Sequence, residues 1–598
     1  MYIRNEYMNR LSKYRNLENK LNQQSAKISK ARLAVFILTL TITIWCYSKE
    51  MGLMAMVTLV SGLLIFILLI RKHENVKYQI KKASCKQTVN KRYIERIDGN
   101  YGDFEDSGEA FKNENHPYTK DLDIFGKNSL FQWINVSRTY YGRIRLRDLL
   151  CNPSKEIKIM KARQSAVKEM AGLIEFTESL QCELLMNEKI GKNSEPMLLS
   201  AEDAARIFKN KNMRYIFYIL PIVTILCISL GYINMMPTTI GFIFLILQTA
   251  LFGFGSIKTS KLLSSVYGFK KELVSYRNIL DLIEKHEFED QYLNECKLRL
   301  KMDKKMATDY MKELVKIAEA IDVRHNAWAY FILNGAFLWD YHCVYALEEW
   351  KDKCGVRIRT WIEVAAEFEA VASLAVVAQI NDKWTYPEFE NHHVIFTAKN
   401  IGHPLIGTDK CVCNDINVHN NYCVITGSNM SGKTTLLRTI GINLVLAYAG
   451  APVYAQALKC SVMSIFTSMR IEDDLNNGIS TFYAELLRIK EIIDYSKQQI
   501  PMIYLIDEIF KGTNSNDRSI GAKNVIKNLN KPWVIGLIST HDLELCDIKI
   551  TGNRKIENYH FTEKYRNGQI QFDYKLKSGR SNTTNAKYLM EMVGINLD

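Results

Sequence analysis

Apolar and polar positions divide this chain into three kinds of territory. Four stretches, residues 33–48, 53–70, 215–233 and 238–255, hold no charged residue and are apolar on every helical face. Each approaches the roughly 17–25 residues that a helix needs to cross a bilayer, and a core helix seldom stays apolar all the way round. The stretches come in close pairs, so the pattern predicts two membrane-spanning helical hairpins. Elsewhere apolar residues recur at helical spacing. Leu262, Val266, Phe269, Leu273, Tyr276 and Leu280 form one stripe that suits a long helix, and residues 365–380 form another. Near the N-terminus Tyr7, Tyr14, Leu21 and Ile28 recur every seven residues with Leu11 between them. That spacing suits a short coiled coil supporting dimerisation, or a basic amphipathic helix lying on a membrane. From about residue 400 the pattern changes. Short apolar runs at 422–425, 501–506 and 533–538 are separated by segments of helical pattern such as 436–449. Strands alternating with helices predict an α/β domain.

Charge orients the apolar hairpins. Arg4, Arg10, Lys13, Arg15, Lys20, Lys27, Lys30 and Arg32 precede the first, and Arg71 and Lys72 follow it. Lys209, Lys211 and Arg214 precede the second, and Lys258 and Lys261 follow it. The turns between the spans carry only Lys49 and Glu50, or no charge. The positive-inside rule then places both termini and the α/β domain in the cytoplasm, in an integral protein of the cytoplasmic (inner) membrane with four transmembrane helices. Two spans in direct succession do not suit a cleaved signal peptide. The net charge of +14 and pI of about 9.0 favour phosphate-bearing partners. Much of the excess flanks apolar helices, where anionic lipid accounts for it, so charge does not decide between DNA and membrane lipid. The thirteen cysteines include no C-x-x-C pair and join no histidine cluster, which predicts reduced thiols and no zinc site.

The chemistry concentrates in the α/β region. Gly427, Ser428, Asn429, Met430, Ser431, Gly432, Lys433 and Thr434 match G-x-x-x-x-G-K-[ST] at every fixed position, after a strand-like run and before a helical one. That context is the one a P-loop requires. Its glycines let backbone N–H groups wrap an anion, and the helix N-terminus adds to the attraction. Lys433 is expected to reach the β/γ-phosphates of ATP, and Thr434, followed by Thr435, to hold Mg²⁺. Asp507 and Glu508 end the strand-like run 501–506. On a strand neighbouring the P-loop they suit a Mg²⁺ acid and a general base that activates water. His541, after the run 533–538, is a candidate γ-phosphate sensor.

The residues between these motifs carry a resemblance. Glu472-Asp473-Asp474-Leu475, Gly478-Ile479-Ser480-Thr481-Phe482 with Glu485, Asp507-Glu508-Ile509 with Gly512-Thr513 and Asp517, and Ser539-Thr540-His541-Asp542-Leu543-Glu544-Leu545 together resemble the ATPase domain of the MutS family, over about residues 400 to 597. Gly402-His403-Pro404-Leu405 upstream, the Asn429-Met430 pair and residues 577–586 are similar to it as well. The resemblance implies Lys433 and Thr434 as phosphate and Mg²⁺ residues, Asp507 as the Mg²⁺ acid, Glu508 as the base and His541 as the sensor. It implies that Ser480 reaches across a homodimer, formed through the ATPase domain, to the partner's nucleotide. Two departures stand out. Ile479 occupies the place of the usual arginine, and Cys411-Val412-Cys413-Asn414 lies where relatives often carry an aromatic against adenine. A weaker similarity to the start of the family's core and lever region runs through Asn128-Ser129-Leu130-Phe131, Arg138-Thr139, Gly142-Arg143, Leu149-Leu150 and Arg163-Gln164-Ala166-Val167. Residues 365–380 resemble its lever helix.

The resulting expectation is an α/β P-loop NTPase domain of ABC/MutS type, preceded by an all-α lever/core region carrying two transmembrane hairpins. Its parts are a basic N-terminal helix (1–32), a first hairpin (33–71), a polar linker (72–125), a core/lever start (126–212), a second hairpin (213–257), a helical lever (258–395) and the ATPase (396–598). Residues 72–125 are too few for the family's mismatch-recognition domain, and the charged stretch 285–312 suits a reduced version of the family's DNA clamp. The expected activity is ATP hydrolysis coupled to binding of mismatched or structured DNA. The alternatives are a membrane ATPase that acts on a lipid or protein partner without DNA, and an ABC-type transporter ATPase. For the last, Gly478-Ile479-Ser480-Thr481-Phe482 stands where an L-S-G-G-Q-like signature belongs.

Overall fold

The computed structural model describes residues 2–186, 191, 193–203, 206–208, 213–419, 421–470, 481–510, 515–548, 554–566 and 569–581. Helices α1 (Tyr2–Ser48) and α2 (Gly52–Ile97) form one antiparallel hairpin. At 1.5 Å per residue each arm is about 70 Å long. The half nearest the turn is the apolar one, and its large side chains are exposed, among them Phe36, Ile44, Leu53 and Leu64. In the other half Tyr7 stacks on Tyr93 with ring centroids 4.5 Å apart. Ser25 meets His73 and Thr43 meets Thr58, so the arms touch from base to turn. Of the seven-residue stripe, Tyr7 and Tyr14 thus contact α2 within the chain.

A helical layer follows: α3 (Leu130–Ile134), α4 (Tyr140–Cys151), α5 (Ile157–Gly172), α6 (Ile174–Met186) and α7 (Glu195–Glu202). The second apolar hairpin is α8 (Met213–Tyr232) and α9 (Thr238–Tyr267). Next come α10 (Lys270–Lys285), α11 (Gln291–Leu298), the two-residue strands β1 (Lys301–Met302) and β2 (Lys305–Met306), α12 (Ala307–Ile321), α13 (Ala327–Phe337), α14 (Trp339–Cys354) and α15 (Ile358–Ile380). The stripe expected on one long helix is divided at Gly268, with Leu262 and Val266 on α9 and Leu273, Tyr276 and Leu280 buried on α10. The stretch 285–312 contains α11, the β1–β2 hairpin and the start of α12, and its Phe288 ring packs 5.2 Å from Phe368 on α15.

Residues 98–125 differ from the expected linker. Tyr101, Tyr118, Leu122, Ile124 and Phe125 are buried, and 116–123 lie as a strap along the α/β domain. Pro117 O accepts from Thr467 N at 2.9 Å, and the Asp121 carboxylate accepts from the backbone N–H of Met469 and of Arg470, each at 3.0 Å. Asp123 pairs with Arg438 at 2.9 Å and Arg470 at 2.5 Å. These contacts are polar and follow no helix or strand period, so the segment reads as loop from sequence.

The α/β domain begins at β3 (Glu388–Glu390), before residue 396. Strands β4 (Ile395–Ile401), β5 (Asn414–His419), β6 (Tyr422–Thr426), helix α16 (Lys433–Ala449), β7 (Ala457–Ser461), β8 (Ser464–Ser468), α17 (Thr481–Ser496), β9 (Met502–Asp507), α18 (Ser515–Asn528), β10 (Val534–Thr540), β11 (Ile556–His560), β12 (Glu563–Arg566), β13 (Gln569–Phe572) and β14 (Lys577–Ser578) follow. One sheet has the order β14-β11-β6-β10-β9-β8, parallel except for β14. A smaller mixed sheet has the order β3-β7-β4-β5. Side chains alternate across the large sheet. Ile503, Leu505, Ile535 and Leu537 join the core that includes α16, while Met502, Tyr504, Ile506, Val534 and Ile538 join a second core with Ile489 of α17 and Ile526 of α18.

Glu369 on α15 is fully buried beneath the start of α4, where its carboxylate accepts from the backbone N–H of Arg138 and Thr139 and from the Thr139 hydroxyl at 2.6 Å. A Cβ at residue 142 would lie 2.4 Å from that carboxylate, so glycine is required there. Burial outweighs these hydrogen bonds and raises the Glu369 pKa from 4.5 to about 7. An acid whose pKa is raised on folding stabilises the folded state fully below its unfolded value, and that contribution is lost as pH rises through the folded value. A shift of this size corresponds to about 3 kcal/mol. The unfolding midpoint of the wild type, measured in detergent relative to Glu369→Gln, is expected to fall between pH 4.5 and 7 and to level off above. A difference that stays flat across that window would show that Glu369 does not titrate with folding.

Candidate nucleotide site

The site lies at the C-terminal edge of the large sheet. Strand β10 separates β6 from β9, with Thr540 level with Thr426 and Ser539 level with Asp507. The acidic pair therefore stands one strand further from the loop than an immediate neighbour would. The intervening strand brings His541 between the two.

The loop after β6 owes its path to backbone freedom. Gly427 has φ 148°, Gly432 has φ 109°, and Met430 takes φ 66°, the left-handed region that favours glycine. Lys433 opens α16, and its ammonium donates to Gly427 O at 2.9 Å and Ser428 O at 3.0 Å. Its Nζ lies 3.3 Å from His541 Nε2. Thr434 Oγ1 donates to Asp507 Oδ2 at 2.6 Å. The other Asp507 oxygen accepts from the Ser539 hydroxyl. His541 Nε2 is 2.8 Å from Glu508 Oε1 and 2.9 Å from Asn429 Oδ1. Ser428 Oγ donates to Glu563 at 2.7 Å. Glu508 itself sits at φ 51°, held by its N–H to Ser539 O at 3.1 Å. A non-glycine residue kept in that region is strained, and such strain clusters at functional sites.

A cleft of about 450 Å³ opens over this loop. Its lining includes Gly432, Lys433, Thr434 and Glu508 together with His403, Cys411, Asn414 and Tyr574. The volume falls in the usual range for a small-molecule site. Ser431 Oγ is buried in this lining without a hydrogen-bond partner, a donor fit for an anionic guest. The oxygens of Thr434 and Asp507 are hard ligands of the kind Mg²⁺ prefers.

Of the residues expected from sequence, the structure gathers all except Ser480, which lies outside the described residues together with Gly478, Ile479, Gly512 and Thr513. Tyr574 is a lining residue that sequence reasoning missed. It is 45 % exposed, adopts φ 52°, and its ring stands 3.3 Å from where a Cβ on Gly432 would be. Asn414 holds this segment at both ends: Nδ2 donates to Tyr574 O at 3.0 Å and Oδ1 accepts from Leu576 N at 2.8 Å. An aromatic ring thus faces the cleft beside 411–414, the stretch that lacks one. The residue lies far along the chain in a turn without periodicity, so only the fold reveals it.

Residues 423–596 match the family model described as MutS domain V. The chain is 28 % identical over 247 residues to the DNA mismatch repair protein MutS of Streptococcus uberis, covering 40 % of this chain and 29 % of that protein. It is 29 % identical over 253 residues to the protein of that name from Roseiflexus castenholzii, covering 40 % and 23 %. Against that of a Geobacillus strain it is 29 % identical over 247 residues, covering 40 % and 28 %. The matched region thus spans less than a third of these curated relatives. A phosphate-type loop, a strand-end acid pair and the match to domain V thus fall in one place, and the C-terminal part of this chain is similar to domain V of the MutS family.

Proposed function

We propose that this chain is a membrane-anchored ATPase of MutS type that binds and hydrolyses ATP in composite sites of a homodimer and couples that cycle to DNA structure. The observation that carries the reading is that Lys433, Thr434, Asp507, Glu508 and His541 come together at one strand-end edge, joined by the 2.6 Å Thr434–Asp507 bond and by His541 between Lys433 and Glu508, with Lys433, Thr434 and Glu508 lining the cleft. In this reading Lys433 neutralises the β/γ-phosphates, and the loop N–H groups hold them in place. Thr434 and Asp507 would hold Mg²⁺, which when bound offsets phosphate charge. Glu508 takes the proton of the attacking water, and His541, within reach of both Lys433 and Glu508, sits where it can register the γ-phosphate. Ser480 of the partner subunit would complete the site. The Tyr574 ring supplies an apolar face for the base.

The membrane part of the reading is supported by magnitude. Among the described residues four helices are long and apolar enough to cross a membrane. About twenty large apolar side chains are exposed between Leu33 and Leu68 alone. Left in water, each forfeits a good part of the roughly 1.5–3 kcal/mol that burial supplies. Their sum exceeds the roughly 5–15 kcal/mol of net stability of a typical domain, so this surface needs a cover. A bilayer, with both termini and the ATPase on the cytoplasmic side, fits the flanking basic residues. DNA enters the proposal through the relatives, whose name is mismatch repair protein. The same motor working on a lipid or protein partner is the rival outcome.

Three measurements test this. Glu508→Ala is expected to lower kcat for ATP by about 10²–10⁴-fold while ATP binding persists; retained turnover would remove Glu508 from the reaction. Tyr574→Ala should raise KM for ATP about tenfold with kcat little changed, as loss of one aromatic–base stack predicts, and an unaltered KM would dismiss the stacking role. Finally, the ATPase rate of the detergent-solubilised full chain is compared without DNA and with homoduplex, mismatched and branched DNA at low and moderate salt. Stimulation by mismatched or branched DNA that survives moderate salt is expected, because nonspecific phosphate contacts weaken steeply with salt. A Glu508-dependent rate indifferent to every DNA overturns the DNA assignment in favour of a lipid or protein partner.

A further inference from the structure

Helix α13 is the most apolar short helix among the described residues, with no charged residue from Ala327 to Phe337. Trp328, Phe331 and Ile332 share one helical face and are 82 %, 64 % and 61 % exposed. An apolar helix of this length is ordinarily a core helix or an interfacial segment, and this exposure excludes the core. At 1.5 Å per residue it is about 16 Å long, roughly half the hydrocarbon thickness of a bilayer, so it cannot span.

Its position says what covers it. The Tyr330 ring packs edge-on against Phe252 of α9 at 5.5 Å, and a Cβ on Gly335 would touch Thr249 at 3.9 Å. Thr249 and Phe252 belong to the apolar stretch 238–255, near its end at Lys258 and Lys261. The exposed face of α13 is thus continuous with the exposed face of the second hairpin, at the level of the leaflet nearer the ATPase. Arg214, Lys258 and Lys261 stand at the same end of the hairpin, which suits anionic headgroups. Trp328 at the start of the helix is the residue type favoured at that boundary.

The placement is fixed rather than adaptable. Asn334, fully buried, donates to Tyr330 O at 3.1 Å and accepts from Asp340 N at 2.9 Å. Asp340 pairs with Arg324 at 2.9 Å, and Arg324 also reaches Ser260 of α9. Leu338, at φ 54°, turns the chain into α14. This polar knot holds α13 against the hairpin with its aromatic face outward.

We propose that α13 is a membrane-inserted but non-spanning helix, whose Trp328, Phe331 and Ile332 lie in the headgroup–acyl boundary of the leaflet nearer the ATPase. The proposal rests on the membrane reading of the two hairpins, and the test separates the two. The full chain, carrying a photoreactive benzoylphenylalanine at Phe331, at Ile243 in the middle of α9, or at the exposed Ile520 of α18, is reconstituted in phosphatidylethanolamine–phosphatidylglycerol vesicles and irradiated. Adducts are then identified by mass. Lipid adducts at 331 and 243, about tenfold above those at 520, are expected for a helix seated at the boundary. Lipid adducts at 243 alone, or a protein–protein adduct at 331, overturn the proposal and leave the hairpins in the membrane. Lipid at neither site sinks the membrane reading and this proposal with it. A probe at Ile332 repeats the test should the 331 variant express poorly.

Discussion

Helix α15 imposes the constraint from which the rest of the architecture follows. From Ile358 to Ile380 nearly every side chain is buried, and a helix apolar on all faces must be covered on all faces. Two carboxylates sit within that apolar surface. Leaving a buried charge unpartnered costs several kcal/mol, so each dictates a neighbour. Glu367 takes Arg145 of α4, Arg163 of α5 at 3.8 Å and the Tyr292 hydroxyl of α11 at 2.6 Å. Charge pairing holds it below the usual carboxylate range despite complete burial. Glu369 takes the start of α4 instead and, without a cation, titrates higher. The same burial thus gives opposite outcomes according to the partner supplied.

The first apolar hairpin packs on this helix near its C-terminal end, whereas the second is joined to its N-terminal end through α14. At the C-terminal end Tyr93 of α2 donates to Gln379 at 2.5 Å, and Gln181 of α6 donates to the same phenol at 2.9 Å. At the other end the Tyr341 hydroxyl of α14 donates to Leu251 O at 2.7 Å, and its ring stacks on Phe217 of α8 at 4.6 Å. Helix α14 then turns through Gly355–Arg357 directly into α15. Beyond Ile380 the chain enters β3 within a few residues. Among the described residues both hairpins pack against helices that lead to the sheet domain, a contiguous route of the kind that can carry mechanical coupling.

What sequence made legible depended on how locally each feature is encoded. A phosphate-type loop needs glycine at fixed points and a lysine and a hydroxyl directly after them, so 427–434 announce themselves, and the 148° and 109° φ values of Gly427 and Gly432 show why. Uninterrupted apolar runs are equally explicit. The strap at 116–123 was hidden because Asp121 and Asp123 act through irregular polar contacts that look like solvated loop. Tyr574 was hidden because its place in the cleft comes from the chain's return past Asn414. The N-terminal stripe was visible but ambiguous: seven-residue spacing suits a helix with a partner, and in the fold its Tyr7 and Tyr14 meet α2. Helix α13 fell between categories, being too short for a span and exposed where a core helix would be covered.

The strap shows how weak interactions can still decide geometry. Asp123 is half-exposed and shares its carboxylate between Arg438 of α16 and Arg470 after β8. Exposed ion pairs contribute about 0–1 kcal/mol, so these two pairs add little to stability. The backbone hydrogen bond from Thr467 to Pro117, the two N–H groups received by Asp121 and the contact of Leu122 with Gly441 do most of the holding. What Asp123 adds is register. One carboxylate ties the helix that starts at Lys433 to the strand end that leads toward Ser480. The start of α16 and the end of β8 thus share one carboxylate, supplied by a segment from outside that domain.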